Sequence, residues 1–188
     1  RFFVQAAREL GYRVWVLDPD PDSPAGHIAD RHLAAAYDDR PALDALAAHC
    51  AAITTEFENV PAPSLEYLAR TVYVAPAATA VAVCQDRIAE KEFLHRYGLP
   101  HGPWAAIRSA GDLQAADSAL FPGILKVARF GYDGKGQSRV NTRDEALAAF
   151  HRNGDKACVL EALLPLDTEV SVVLARGQDG QTECFPVA

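Results

Sequence analysis

Methionine is absent from this sequence of 188 residues, and the first residue is an arginine. Apolar residues recur at helical spacing from Phe2 to Leu10, so the chain begins inside a predicted helix, which Gly11 ends. At the other end, the apolar run from Cys184 to Ala188 carries no signal that ends an element. We therefore expect the chain to be a piece of a longer protein.

Long apolar runs are also missing from the sequence. No stretch is long enough to span a bilayer, and no charged segment followed by an apolar one marks a secretory signal. Apolar residues make up 49% of the chain and charged residues 23%, which is typical of a soluble globular protein with one or two domains. We expect a cytoplasmic protein that does not contact membranes.

Basic residues are not in excess, and cysteines are few. The net charge of −7 argues against a nucleic-acid partner, although a local cluster of Lys and Arg can still hold a phosphorylated small molecule. The four cysteines form no C-x-x-C pair, so neither a zinc site nor a disulfide framework is indicated, and we expect them to be reduced and buried. The six histidines show no metal-ligand spacing, so the sequence predicts no metal site within these residues.

Strands and helices alternate over the first half of the chain. The predicted elements are a strand at 13–17, a helix from Asp39 to Ala48, a strand at 51–55, a helix at 64–70 and a strand at 72–74. Such alternation predicts an α/β fold with a parallel sheet. Ligands of parallel sheets gather at the carboxyl ends of the strands, where Asp18 and the segment 56–59 are found.

The pattern changes after residue 80. A helix from Asp86, its N-cap, to Tyr97 ends before Gly98, and the segments that follow it are typical of an α+β domain. The predicted strands lie at 104–107, 124–127, 138–140 and 159–161. A capping box at Thr142 to Glu145 begins a helix that runs to Arg152. Residues 169–175 and 182–187 form a predicted hairpin. We place the boundary between two domains at residues 80 to 103.

One glycine-rich segment carries the clearest chemical signal: Gly131-Tyr132-Asp133-Gly134-Lys135-Gly136-Gln137, after the apolar run 123–128 that contains Lys126. Glycine N–H groups can approach phosphate oxygens closely and the lysines supply charge, so the segment predicts a flexible lid over nucleotide phosphates. Its spacing is neither that of a Walker A loop nor that of the G-x-G-x-x-G turn. The alternative is a β-hairpin whose glycines serve only the turn.

Four segments, in this order, resemble the N5-carboxyaminoimidazole ribonucleotide synthetases, the PurK family of ATP-grasp enzymes. They are Val16 to Gly26, Thr55 to Pro61, Gln85-Asp86-Arg87 and the loop 131–137, and the likeness covers the whole chain. The resemblance implies a Rossmann-like pre-ATP-grasp domain with a parallel sheet at 1–85, without its first strand and glycine turn. It implies a partial α+β ATP-grasp domain at 86–188, with a small lid subdomain at about 103–160.

The activity that this resemblance implies is the ATP-dependent carboxylation of 5-aminoimidazole ribonucleotide by bicarbonate, in de novo purine (IMP) biosynthesis. The products are N5-carboxyaminoimidazole ribonucleotide, ADP and phosphate, formed through carboxyphosphate. Bicarbonate is a poor electrophile until one oxygen becomes a phosphate leaving group, and a closed site keeps carboxyphosphate from water. The family implies Mg²⁺, whose ligands we expect beyond Ala188 together with the ribonucleotide phosphate site, and it implies a homodimer.

The resemblance assigns nucleotide contacts to the second domain. Lys126 is expected at the ATP phosphates, with an edge-strand lysine as the alternative. Arg87 is also expected at the nucleotide, with an exposed surface arginine as the alternative. Glu161 begins the segment for adenine and ribose, and Glu169 is expected at a ribose hydroxyl, unless both are solvent-facing carboxylates. The whole set is Arg87, Lys126, Gly131, Tyr132, Asp133, Gly134, Lys135, Gly136, Gln137, Glu161, Ala162, Leu163, Leu164 and Glu169.

Three loop residues are assigned to the chemical steps. Tyr132 and Asp133 are expected near bicarbonate or the aminoimidazole amine, where the aspartate could accept a proton and the tyrosine could orient an oxygen. Turn formation by Asp-Gly is the alternative for this pair. Lys135 is expected to cover the γ-phosphate or carboxyphosphate, with a solvated loop lysine as the alternative.

The first domain is expected to supply part of the ribonucleotide pocket through Glu56, Glu58 and Asn59, unless these residues only begin a helix. Two other kinds of protein fit parts of the pattern. One is another ATP-grasp ligase, such as formate-dependent glycinamide ribonucleotide transformylase or biotin carboxylase, and the other is a nucleotide-binding module without chemistry. The Tyr132-Asp133 pair and the repeat Asp18-Pro19-Asp20-Pro21 favour the synthetase.

Overall fold

The structure is a computed structural model, and it describes residues 1–131 and 136–188. The first part contains α1 (Phe2–Glu9), β1 (Trp15–Leu17), β2 (Arg31–Leu33), α2 (Arg40–His49), β3 (Ala52–Ile53), α3 (Ala62–Leu68), β4 (Tyr73–Val74) and α4 (Ala78–Cys84). The second part contains α5 (Arg87–Arg96), β5 (Trp104–Ile107), α6 (Ala110–Ala115), β6 (Gly123–Val127), β7 (Gln137–Val140), α7 (Arg143–Arg152), β8 (Cys158–Ala162), β9 (Leu174–Arg176) and β10 (Thr182–Cys184). Short 3-10 helices lie at Gly26–Ile28 and Ser118–Leu120.

Two pairs of parallel strands form the first part. β1 pairs with β2, and β3 pairs with β4. Leu43 and Leu46 of α2 and Leu68 of α3 pack against apolar side chains from all four strands, so both pairs share one core. The predicted α/β class with parallel strands is confirmed. The sequence did not predict β2, because Arg31 and His32 interrupt the apolar pattern of a strand.

An antiparallel sheet of four strands, in the order β5-β8-β6-β7, forms the second part. Side chains from α6 and α7, including Leu113 and Phe150, cover one face and bury Leu125 and Leu160 of the sheet. On the other face, Ile88 of α5 packs against Val159. The α+β organisation predicted for this part is confirmed.

Local hydrogen bonds explain where the helices begin. The Asp86 carboxylate accepts hydrogen bonds from the N–H groups of Ile88 and Ala89, as an N-cap does. At α7 the predicted capping box is only half formed, since the Glu145 carboxylate bonds the N–H of Asn141 rather than that of Thr142. A complete capping box opens α6.

The hairpin of β9 and β10 is antiparallel as predicted, and its ladder continues to a pair of backbone hydrogen bonds between Ser171 and Ala188. The expectation of buried cysteines is wrong for two of the four, because Cys84 and Cys184 are exposed, while Cys50 is half-buried and Cys158 is buried. Within the described ranges, no helix combines the length and apolar character needed to cross a membrane.

Candidate active site

The glycine-rich loop connects β6 to β7, in which Lys126 and Gln137 are paired. Gly136 needs to be glycine at this turn, because its φ is +74° and a Cβ there would lie 2.5 Å from Val127 Cγ2. The N–H of Val127 donates a 2.9 Å hydrogen bond to the Gly136 carbonyl. β6 and β7 therefore form a hairpin. The predicted residues Tyr132, Asp133, Gly134 and Lys135 lie outside the described residues.

Arg87 links the start of α5 to the beginning of this loop. Its guanidinium donates hydrogen bonds to the carbonyls of Val127 (2.9 Å) and Gly131 (2.8 Å), and its N–H donates to the carbonyl of Ala128 (2.9 Å). Arg87 is half-buried, so it is not the exposed surface arginine of the alternative interpretation. A cation held at the entrance of a glycine-rich loop is well placed to meet an anionic ligand.

Lys126 and Glu161 form an ion pair on the face of the sheet that α5 covers. The order of strands places β6 inside the sheet, so Lys126 is not an edge-strand lysine. Its Nζ lies 3.1 Å from Glu161 Oε2, and the two side chains are 22% and 20% exposed. Glu161 is therefore not a solvent-facing carboxylate. A charged pair in this position satisfies the requirement that a buried ammonium has an anionic partner.

Strand alternation and helical spacing bring a second lysine to the same carboxylate. Lys91 Nζ lies 3.5 Å from Glu161 Oε2, and the Lys91 side chain is 14% exposed. The sequence reasoning missed Lys91. The signal that could have found it is its position four residues after Arg87 and three after Ile88, which places all three on neighbouring parts of one helix surface.

The segment predicted for adenine and ribose follows Glu161 at the end of β8. The N–H groups of Ala162 and Leu163 donate hydrogen bonds to the carbonyls of Pro103 (3.0 Å) and Pro122 (2.9 Å). Leu164 is 44% exposed. Glu169 is also exposed and lies further along, before β9. The structure thus brings Glu161 into contact with Lys126 but does not bring Glu169 to them.

A cavity joins the predicted substrate and nucleotide residues of the two parts. It has a volume of about 110 Å³, and the wall includes Glu58 and Asn59 on one side and Arg87, Phe130 and Gly131 on the other. Two residues predicted from the first part therefore lie beside two predicted from the second. Cys84 is exposed overall, but partial burial of its thiol in the same wall, and then Glu90, raise its pKa, so the thiol is neutral at neutral pH.

Gln85 holds the substrate side of this cavity in position. Its side-chain Nε2 donates hydrogen bonds to the carbonyls of Glu58 (2.8 Å) and Val60 (2.5 Å). Gln85 belongs to one of the four segments that resemble the family, but the sequence predicts no role for it. Its place directly before the N-cap Asp86 is the only signal, and that signal does not reveal a partner 27 residues away.

The other acidic residues predicted at strand ends, Asp18 and Glu56, lie outside the cavity wall. The Asp18 carboxylate accepts a hydrogen bond from the N–H of Asp20 (2.9 Å), which fits a loop cap. Burial, and then Asp18, raise the pKa of Tyr37. The Glu56 carboxylate is exposed.

Carboxylate, histidine and cysteine side chains in residues 1–131 and 136–188 form no group of three that could hold a metal ion. The acidic residues of the cavity are thus not arranged as a magnesium site on their own. The cations of the site, Arg87, Lys126 and Lys91, instead favour an anionic ligand.

Two family models match the chain. The ribonucleotide synthetase preATP-grasp domain matches residues 1–85, and the ATP-grasp domain matches residues 92–188. These matches agree with the change from parallel strand pairs to an antiparallel sheet.

Named proteins are similar to the chain over its full length. N5-carboxyaminoimidazole ribonucleotide synthase of Brucella melitensis is 41% identical over 191 residues, which cover 100% of this chain and 53% of that relative. The structure of N5-carboxyaminoimidazole synthetase from Staphylococcus aureus complexed with ADP matches with a TM-score of 0.93 at 35% identity, over 99% of this chain and 50% of that one. The Aspergillus clavatus synthase in complex with ADP and 5-aminoimidazole ribonucleotide matches with a TM-score of 0.85 at 27% identity, over 100% of this chain and 49% of that one. The chain spans about half the length of the curated relatives it matches.

Proposed function

Because the chain belongs to the ATP-grasp family, we propose that it is part of an ATP-dependent carbon–nitrogen ligase, N5-carboxyaminoimidazole ribonucleotide synthase. The whole protein would carboxylate the exocyclic amine of 5-aminoimidazole ribonucleotide with bicarbonate, and convert ATP to ADP and phosphate, in de novo purine biosynthesis. Relatives named for this activity support the proposal, as does a structural neighbour that holds ADP and 5-aminoimidazole ribonucleotide.

The observation that carries the proposal is the cavity shared by the two parts of the chain. Carboxylation of an amine through a phosphorylated intermediate requires that the nucleotide phosphates and the amine lie close together and away from water. The wall of the cavity combines Glu58 and Asn59 with Arg87 and Gly131. This arrangement supports a ribonucleotide on the first side and ATP phosphates on the second.

Each charged residue then has a role set by its position. Arg87 and Lys126 neutralise negative charge on the ATP phosphates, which phosphoryl transfer requires more than covalent help from the protein. Glu161, the segment to Leu164 and Glu169 hold adenine and ribose. In this proposal the loop residues Tyr132 and Asp133 act at bicarbonate or the amine, with Asp133 accepting the proton that the amine loses, and Lys135 covers the γ-phosphate or carboxyphosphate.

The remaining parts of the proposal follow from the resemblance and the family matches. We infer a domain division into residues 1–85 and 86–188, a cytoplasmic location and a homodimer. Mg²⁺ is proposed as the ion that accompanies ATP, with ligands outside residues 1–188, and no step above depends on it. The substrates are small molecules, and neither nucleic acid nor membrane is a proposed partner.

The test is the activity of the full-length protein. We expect ATP hydrolysis only when 5-aminoimidazole ribonucleotide and bicarbonate are both present, with the carboxylated ribonucleotide as product. Hydrolysis stimulated instead by biotin, or by formate with glycinamide ribonucleotide, would assign the protein to another ATP-grasp ligase. Absence of turnover with all of these, in a protein that binds ATP, would indicate a binding module.

Lys126→Ala in the same protein tests the nucleotide site. It removes a charge-assisted contact with phosphate, so we expect ATP to bind roughly 10- to 100-fold more weakly. Isothermal titration calorimetry with a non-hydrolysable ATP analogue and steady-state kinetics measure the effect. The matched control is Lys156→Ala, because Lys156 is an exposed lysine in the turn before β8. Equal ATP affinity in both variants would contradict the role of Lys126.

A further inference from the structure

One oxygen of Glu161 receives two ammonium groups. Lys126 Nζ lies 3.1 Å and Lys91 Nζ 3.5 Å from Glu161 Oε2. All three side chains are between 14% and 22% exposed. The cluster therefore carries one net positive charge in a region that water reaches poorly.

The fold explains why these three side chains meet. In β8, Leu160 faces the core formed with α7, so its neighbours Val159 and Glu161 face α5. Lys126 is paired with Val159, which places it diagonally across from Glu161 on the same face. Lys91 reaches that face from α5, one turn after Ile88, which packs on Val159.

We propose that Lys91 is a positioning residue of the nucleotide site, which holds Glu161 so that Lys126 is free to bind a nucleotide phosphate. The inference rests on the proposed function, since it assumes that Lys126 binds ATP or ADP. Two ammonium groups on one carboxylate oxygen repel each other, so neither is held as tightly as it would be alone. When a phosphate binds Lys126, the Glu161 carboxylate remains paired with Lys91.

The loss of Lys91 has two effects that act in the same direction. Lys126 would then be held by Glu161 alone, in an overall neutral pair, and it would be less available to a phosphate. Once Lys126 moved to the phosphate, the Glu161 carboxylate would remain partly buried without a cation and close to a second anion. Both effects weaken nucleotide binding even though Lys91 does not contact the nucleotide.

Two simpler roles make different predictions. A salt bridge that only supports the fold would change the unfolding temperature and leave nucleotide affinity unchanged. A direct bond from Lys91 to a phosphate would contribute to affinity whether or not Glu161 is charged. The proposed role alone makes the effect of Lys91 depend on the negative charge of Glu161.

The experiment is a double-mutant cycle in the full-length protein with ADP as the probe. Lys91→Met, which keeps the length of the apolar stem, is measured by calorimetry at low salt in the wild-type and in the Glu161→Gln background, with Lys156→Met as the control. We expect Lys91→Met to weaken ADP binding roughly tenfold in the wild-type background, as for a partly buried charge that loses its partner. In the Glu161→Gln background we expect less than about a twofold change.

A second pair of variants guards against a protein that does not fold. Lys91→Gln should reproduce the loss, and Lys91→Arg, which restores the charge, should recover most of the ADP affinity. Unchanged affinity in Lys91→Met and Lys91→Gln, or an equal loss in both Glu161 backgrounds, would overturn the inference. If the wild-type protein does not bind ADP, the proposed function fails and the inference with it, whereas wild-type binding with unaffected Lys91 variants overturns the inference alone.

Discussion

At the scale of single residues, two residues other than glycine have a positive backbone φ in the part of the chain that the structure describes. They are Phe130 (60°) and Asp155 (55°). Aspartate tolerates this conformation because its short polar side chain bonds locally, and Asp155 bonds the ring of His151. Phenylalanine has no such compensation. Phe130 is 69% exposed, so packing does not offset its backbone strain either.

We expect Phe130→Gly to stabilise the full-length protein, because glycine adopts a positive φ without a steric penalty. The expected gain over Phe130→Ala is about 1 kcal/mol, the order of the strain of a non-glycine residue in the left-handed region. Alanine is the matched control, since it removes the ring but keeps the Cβ that causes the strain. Urea unfolding measures the difference, and a glycine variant no more stable than the alanine variant would refute the strain.

The sequence predicts individual site residues where the chemistry of one side chain is informative. Lys126 in an apolar strand requires an anion, and the family resemblance predicted both Lys126 and Glu161 as nucleotide contacts. It could not pair them, because 35 residues separate them and the contact depends on strand order and register. Lys91 has an even weaker signal, since a lysine on a helix surface is common and its partner comes from β8.

At the scale of elements, the sequence predicts a helix start where the capping side chain bonds N–H groups close to it in the chain. The start of α5 was correct because Asp86 caps N–H groups only two and three residues away. β2 was missed because it depends on pairing with β1, and neither Arg31 nor His32 favours a strand. The capping box of α6 was also missed, because Asp112 takes the place of the usual Glu or Gln.

The Asp112 capping box gives the protein a pH-dependent contribution to stability. The N–H of Arg108, and then the Ser109 side chain, lower the pKa of the Asp112 carboxyl below its ordinary value. A lowered pKa in the folded state means that the ionised form stabilises the fold above the unfolded pKa of about 4. That stabilisation is lost as the pH falls through the folded pKa.

Asp112→Asn should therefore destabilise the full-length protein at pH 7 and have a smaller effect at pH 3. The measurement is the difference between the urea midpoints of wild type and variant at several pH values between 7 and 3. Taking the difference removes the acid destabilisation that both proteins share. Asp167→Asn serves as control, because Asp167 is exposed in the segment before β9. Wild-type and Asp112→Asn midpoints that stay equally far apart at every pH would contradict the expected linkage.

At the scale of the whole molecule, Gln85 connects the two parts of the chain at the cavity. It stands between α4 and α5, and its side chain holds the loop that carries Glu58 and Asn59. The family matches place this loop in the preATP-grasp domain, while α5 leads into the ATP-grasp domain. The sequence predicts a domain boundary at residues 80 to 103, but it does not predict this contact, because it depends on a side chain with no charge and no periodic pattern.

On the proposed function, we expect Gln85→Ala to raise the KM for 5-aminoimidazole ribonucleotide in the full-length protein roughly 30-fold, the order expected for two lost hydrogen bonds of about 1 kcal/mol each. ADP affinity should change little, because Lys126 and Glu161 lie outside this loop. Gln85→Glu, which offers oxygens to two carbonyls, should be at least as damaging as alanine. Equal loss of ribonucleotide and ADP affinity would point to a general disturbance instead.

The size of the cavity limits what it can enclose. Its volume is about 110 Å³, whereas pockets that hold a whole small molecule usually measure about 300–1,000 Å³. Lys126 and Glu161 do not line it, so in the proposed enzyme the cavity encloses only the reacting groups, while adenine and ribose lie outside it. A chamber of this size leaves little room for bulk water beside a water-sensitive intermediate.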